Sequence, residues 1–176
     1  MGLFKKKSLM LALLPLAVLA ILPLSCCDTH VSNTWSEGEL TPLLAESFED
    51  YVGIDYPISD FEVFLAPERL AVSYVTTWPD DPEAPGIPAG SEFQVDMLVG
   101  ILVTEEGALS VEVTEYSFGG IPYNELIGEM STGCSNIFTG WGDAIESSLS
   151  SILILDGVID EVMLEDGSIT LNGTVH

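Results

Sequence analysis

The 176-residue chain has almost no positive charge. It carries four lysines and arginines against 28 aspartates and glutamates. Three of the four are Lys5, Lys6 and Lys7, so Arg69 is the one strong base beyond the first seven residues. Binding to nucleic acid requires basic groups that neutralise phosphates, so that class of partner is argued against. Electrostatic docking onto an anionic membrane surface is disfavoured for the same reason. Histidine is as scarce: only His30 and the terminal His176 are present. A serine nucleophile would lack its usual base. The three cysteines, Cys26, Cys27 and Cys134, form no C-x-x-C pair and have no histidine cluster near them, so the metal expectation is none for zinc. Nothing in the sequence implies a cofactor, and the cofactor expectation is likewise none.

What is present begins with Lys5-Lys6-Lys7, followed by 18 uncharged residues from Ser8 to Ser25, rich in Leu and Ala. A basic segment followed by an apolar one is a secretory signal. The lysines resist translocation and the rest of the chain is carried across. The end of the segment fits a lipoprotein signal, with Leu24-Ser25 before a cysteine pair. Cys26 is the expected lipidation site because the small Ser25 precedes it; Cys27 is the alternative, with Leu24 in the place usually held by Leu. An uncleaved anchor also fits, since ~17–25 apolar residues span a bilayer, although Pro15 and Pro23 make that helix less regular. Simple cleavage is the third reading. The expected organisation is a lipoprotein-type signal segment at 1–25, a polar tether at 26–35, and a single acidic domain at 36–176. The expected location is extracytoplasmic, anchored to the membrane at the cell surface or in a periplasm.

No acidic residue lies within 1–25, so the mature chain carries 1 − 28 = −27 formal charges. Solubility or a saline habitat accounts for such a surface, and a divalent-cation role is the sharper reading. Apolar residues nevertheless make up 47% of the chain, too many for a disordered acidic tail. About 150 residues suit one domain with a sizeable core.

Ser36-Glu37-Gly38-Glu39 has the capping-box pattern, and Leu40, Leu43, Leu44, Phe48, Tyr51 and Val52 follow at helical spacing. The spacing predicts a helix over 37–52, stopped at Gly53. A hairpin should follow across Ala66-Pro67-Glu68-Arg69, pairing Leu65 with Leu70, Val63 with Val72 and Phe61 with Tyr74. Residues 78–90, rich in proline, read as a loop of the length of a lid or rim. A second hairpin alternates through Phe93, Val95, Met97, Val99, Ile101 and Val103, then Leu109, Val111 and Val113. Gly107 supplies the left-handed turn position. The apolar phase then shifts to Tyr116 and Phe118, which implies a bulge near 114–115. Leu98 and Leu102 point the other way, which implies cover on both sides of that sheet. After Gly119-Gly120-Ile121-Pro122, the residues Leu126, Met130, Cys134, Ile137, Trp141, Ile145, Leu149 and Ile152 form one helical stripe. Its four glycines predict a break near 131–135. A third hairpin turns at Asp166-Gly167, setting Leu164 opposite Ile169 and Val162 opposite Leu171. The order is α-β-β-β-β-α-β-β. This is an α+β fold: a curved antiparallel β-meander sheet packed against two helices.

No catalytic residue is nominated. Two carboxylates suffice for glycoside hydrolysis, but no pair among the 28 stands out. Asp80, Asp81 and Glu83 are a weak candidate for calcium, and a solvated acidic loop explains them as well. Asn172-Gly173-Thr174 matches a glycosylation sequon within a strand, where chance accounts for it. Cys134 falls on the apolar stripe, so a buried free thiol is favoured over a disulfide with Cys27. The apolar inventory offers one further candidate: a groove between sheet and helix lined by Val95, Met97, Val99, Val111, Val113, Phe118, Met130, Ile137 and Trp141. An ordinary packed core fits the same residues.

Three runs carry a resemblance. They are Val103-Thr104-Glu105-Glu106-Gly107-Ala108-Leu109-Ser110-Val111-Glu112-Val113, Gly119-Gly120-Ile121-Pro122-Tyr123-Asn124-Glu125-Leu126-Ile127, and Leu164-Glu165-Asp166-Gly167-Ser168-Ile169-Thr170-Leu171. Together they resemble bacterial membrane-tethered YpmS-like and LmeA-like domains, over about residues 36–175. The resemblance implies a non-enzymatic role in binding or chaperoning a lipid or another apolar envelope molecule. It transfers no ligand residue. The acidity argues for a neutral lipid, or an anionic one bridged by divalent cations. The alternatives are an envelope scaffold with a solid core, or a surface domain stabilised by a divalent cation.

Overall fold

The computed structural model describes residues 28–52, 56–78, 90–126 and 132–175. Among these residues the architecture is α+β, with two antiparallel sheets and three helices. Strand β1 (Thr29–Ser36) leads directly into α1 (Glu37–Val52). Then come β2 (Ile58–Ala66), β3 (Arg69–Thr77), β4 (Glu92–Val103) and β5 (Leu109–Phe118), ending in the two-residue β6 (Ile121–Pro122). The short α2 (Tyr123–Leu126) and the long α3 (Thr132–Ile152) precede β7 (Val158–Glu165) and β8 (Ser168–Val175). Strands β2 to β6 form a meander in sequence order, while β8 pairs with both β1 and β7 in a second sheet ordered β1-β8-β7.

The first of these strands corrects an expectation. Residues 29–36 are not a tether: they pair with β8 along their whole length, from Thr29 opposite Val175 to Ser36 opposite Ser168. The segment looks like a tether because it is polar. It is a strand because only Val31 and Trp35 need to meet the core, on one face of an otherwise exposed edge.

Helix α1 starts where the capping box sets it. The Ser36 amide and hydroxyl both donate to Glu39 Oε2, at 2.9 and 2.8 Å. Leu40, Leu44 and Phe48, one turn apart, are fully buried.

The hairpins follow their turn chemistry. Leu65 pairs with Leu70 and Val63 with Val72, but the register slips between Ser59 and Glu62. Phe61 therefore meets Tyr74 by ring stacking, at 5.8 Å between centroids, rather than by a ladder pair. Ala66 and Arg69 also pair, so the turn proper is Pro67-Glu68, with Glu68 at φ 62°. In the second hairpin Val103 opposes Leu109, Ile101 opposes Val111 and Val99 opposes Val113. The register then jumps so that Leu98 opposes Glu115, which leaves Thr114 as the bulged residue. The third hairpin sets Leu164 opposite Ile169 and Val162 opposite Leu171, with Gly167 at φ 78°.

The two sheets meet at their ends. The Ile159 amide donates to the Gly107 carbonyl at 2.8 Å, and the Gly167 amide to the Leu65 carbonyl at 3.0 Å. Strand β7 thus runs across the tips of the meander, from the β4–β5 turn to the end of β2. Gly107 permits this approach, because a Cβ there would collide with Val158.

Helices α1 and α3 pack on one another and on one face of the meander. Beneath them lies a continuous aromatic layer. Phe48 touches Phe61 and Tyr74, Tyr74 touches Trp141, and Trp141 touches Phe93 and Phe138. Phe138 stacks close on Phe118, at 3.8 Å between centroids, and also meets Trp78. Trp78, expected in the loop, is buried: its amide and carbonyl bond to Ser91 and Gly90 and continue the β3–β4 ladder.

Candidate functional site: the open face of the meander

The apolar stripe of α3 is spent on the core. Of the nine residues expected to line a groove, Val95, Met97, Val99, Val113, Phe118 and Trp141 retain only 0–7% of their accessible surface. Side chains facing an empty channel as wide as an acyl chain would keep far more, because a water-sized sphere could roll along them. These six instead touch each other and the aromatic layer. Val111 and Ile137 are half-buried. Met130 lies outside the described residues, as do Asp80, Asp81 and Glu83, both candidate lipidation sites Cys26 and Cys27, and His176. Cys134 falls within α3, but its state and any pairing with Cys27 are outside the described side chains.

Among the described residues, no three His, Cys, Asp or Glu side chains converge as metal ligands would. No described helix is long and apolar enough to cross a membrane.

Two of the exposed apolar side chains, Phe64 and Leu102, lie on the other face of the meander, which nothing among the described residues covers. The expected cover on both sides is not found among the described residues. The face is built row by row from the ladder register. Phe64 on β2 stands beside Ala71 on β3, then Leu98 on β4, then Glu115 on β5. The next row is Glu62, Ser73, Asp96 and Ser117. Phe64 is 50% exposed, and Leu102, further along β4, is 70% exposed. Val75 and Leu98 are half-buried. Alternation put these side chains here: Val63 and Leu65 point inward, so Phe64 points out.

The polar row is tied together around Asp96. Ser73 Oγ and Gln94 Nε2 donate to Asp96 Oδ1 at 2.9 and 2.7 Å, and Gln94 Nε2 also donates to Ser73 Oγ at 3.0 Å. Ser117 Oγ donates to Asp96 Oδ2 at 3.3 Å. The carboxylate is therefore held in place at the centre of the sheet, beside the apolar row. Glu62, Glu112 and Glu115 are exposed on the same face.

Helix carboxylates fasten both flanks of the meander. On β2, Glu37 Oε1 accepts from the Leu65 amide at 2.6 Å, and Thr41 Oγ1 from the Val63 amide at 3.2 Å. On β5, Glu146 Oε1 accepts from the Val113 amide at 2.7 Å, next to the bulge. These side chains cover strand edges that would otherwise be open to pairing.

Two tyrosines mark the inner face. Burial pushes Tyr74 well above the ordinary phenol value, helped by nearby Tyr116, and its hydroxyl has no hydrogen-bond partner among the described residues. Tyr116 is pushed up to about 12, first by burial and then by the negative charges of Glu146 and Asp143. Its hydroxyl rests against Gly142, where a Cβ would collide with it.

One shallow depression of about 250 Å³ opens between the C-terminal turn of α1 and the first half of α3, lined by Tyr51, Val52, Tyr56, Asn136, Ile137, Gly140 and Trp141. Two residues of the expected groove line it, half-buried Ile137 and, at its floor, the buried Trp141. No protein-family model, curated protein or solved structure matches the chain.

Proposed function

We propose that this protein is a non-enzymatic binding module, tethered to the outer face of a membrane, which docks a partner on the open face of its meander. One observation carries the reading. Six of the nine apolar residues expected to line an internal groove are consumed by a packed aromatic core, while Phe64 and Leu102 stand exposed on the opposite face, with half-buried Leu98 next to the fixed Asp96 carboxylate. Apolar side chains grouped on an exposed sheet face, with polar groups between them, have the composition of a contact surface. The tether rests on Lys5-Lys6-Lys7, the apolar run to Ser25 and the cysteine pair. The test is photo-crosslinking in intact cells from position 64 or 102, compared with position 49 on the exposed side of α1. A discrete adduct at 64 and 102, lost in a Phe64→Ser/Leu102→Ser protein of unchanged melting temperature, is the expected result. Identical patterns at all three positions would overturn the reading.

The lipid-binding reading keeps one observation in its favour: the depression beside Tyr56 and Trp141. At about 250 Å³ it is smaller than the ~300–1,000 Å³ of enclosed ligand pockets. It would hold one end of an apolar molecule rather than enclose it. Mass spectrometry of an organic extract from detergent-free protein decides between the two. A stoichiometric lipid would replace the docking reading with the lipid one.

A further inference from the structure

The replacement of the expected tether by β1 has a geometric result. On the anchored reading above, on which this inference rests, only Cys26, Cys27 and Asp28 separate the anchor from the first ladder pair, Thr29 opposite Val175. Three residues reach at most about 10 Å. The headgroup layer on one side of a bilayer is about 5–7 Å thick, half the difference between the ~40–45 Å membrane and its ~30 Å core. The end of the three-stranded sheet that carries Thr29 is therefore held at the headgroups.

That same end exposes apolar side chains. Val158 is paired with Thr174, which is paired in turn with His30. It therefore stands two strands, about 10 Å, from β1. Val158 is 38% exposed and Ile154 is 56% exposed. The Ile154 carbonyl accepts from Asn33 Nδ2 at 3.1 Å, about 13 Å along β1 from Thr29, so Ile154 stands behind Val158 and further from the anchored end. Between them and the β4–β5 turn lies an open depression of about 400 Å³, with Leu109 and Leu155 among its walls.

We propose that this end, with Val158 foremost and Ile154 behind it, is the surface laid against the outer leaflet of the protein's own membrane. The contact is apolar. Glu106, Asp156 and Asp160 stand around it, so it suits a zwitterionic leaflet and not one dense in anionic lipid. The same carboxylates oppose a second copy of this chain at the same place.

The test uses the full, anchored chain in phosphatidylcholine vesicles. A photo-reactive amino acid is placed at 154, at 158, and at 51 in three separate proteins. Tyr51 is 63% exposed. It lines the depression beside Asn136, about 24 Å of helix from Ile152. Flotation of each protein with the vesicles is measured first. Phospholipid adducts at 154 and 158, with loss of the adduct at 51, are the expected result. A chain that fails to float has no anchor, which overturns the tether reading and this inference with it. A chain that floats but gives equal adducts at all three positions, or none at 154 and 158, overturns this inference alone.

Discussion

Glu37 and Leu65 are joined by a 2.6 Å hydrogen bond, from the strand amide to the helix carboxylate. It is one side of a closed circuit. The Gly167 amide donates to the Leu65 carbonyl, and the Glu37 amide donates to the Gly167 carbonyl. The start of α1, the end of β2 and the β7–β8 turn meet there, joined by one side-chain and two backbone hydrogen bonds.

Glu37→Ala is expected to lower stability by about 2 kcal/mol, the scale of a hydrogen bond to a charged group whose partner is left behind. Glu37→Gln keeps an acceptor and should lose less. Urea denaturation followed by circular dichroism measures both. Equal losses would show that a neutral acceptor cannot replace the carboxylate, and no loss in Glu37→Gln would show that its charge is immaterial.

Two glycines of α3 should respond oppositely to alanine. Gly140 has open space where a Cβ would project, and alanine gains helix propensity, so Gly140→Ala should stabilise by about 0.5–1 kcal/mol. At Gly142 the added methyl would strike the Tyr116 hydroxyl. Gly142→Ala should destabilise despite the same propensity gain. Thermal melts of the two variants, side by side, are the measurement.

The Pro67-Glu68 turn places a non-glycine residue at φ 62°. Glu68→Gly relieves the left-handed strain and should stabilise by about 0.5–1 kcal/mol, with the hairpin register unchanged. An unaltered or lowered melting temperature would count against strain at this turn.

Stability should fall at both extremes of pH. Hydrogen bonds from the Ser36 amide, and then from its hydroxyl, hold the Glu39 carboxyl below its usual value of 4.5. The folded state therefore binds that proton less readily than the unfolded state does. Its contribution is present above pH 4.5 and is lost as pH falls through the folded value. Glu39→Gln should flatten this part of the acid limb. At the alkaline end, Tyr116 is held at about 12, against 10 for a free tyrosine. The unfolded chain ionises first, so stability declines as pH rises from 10 toward 12. Tyr116→Phe should weaken that decline. Denaturant titrations across pH 3–5 and pH 9–12 read both.

Much of the fold is legible in the sequence because the constraints are local. The capping box marks the start of α1. Alternation and loop length settle Val103 opposite Leu109 and Leu164 opposite Ile169, since a slip by one residue would turn every apolar side chain outward. The strand β1 is not legible, because its reason for being a strand is β8, at the far end of the chain. Nor is the division into two sheets, which depends on Gly107 and Gly167 meeting β7 and β2 through backbone bonds. The groove residues were found as an apolar set, but periodicity does not distinguish a side chain lining a space from one filling it. Phe138, buried at the centre of the aromatic layer, sits one step beside the stripe traced through Ile137 and Trp141. The outward direction of Leu98 and Leu102 is legible in the alternation, which implied cover on that side, but what covers the far side of a sheet is a tertiary fact.

The pairing of β1 with β8 also sets an order of events. Thr29 meets Val175 across nearly the whole described chain. Contacts of such separation form late, because the loop between them must close first. A chain that emerges from its N-terminus exposes β1 well before its partner strand. The first strand must then wait, unpaired, until β8 has emerged. Its polar sequence, Thr29 through Ser36, with only Val31 and Trp35 strongly apolar, suits a segment that must stay soluble through that wait.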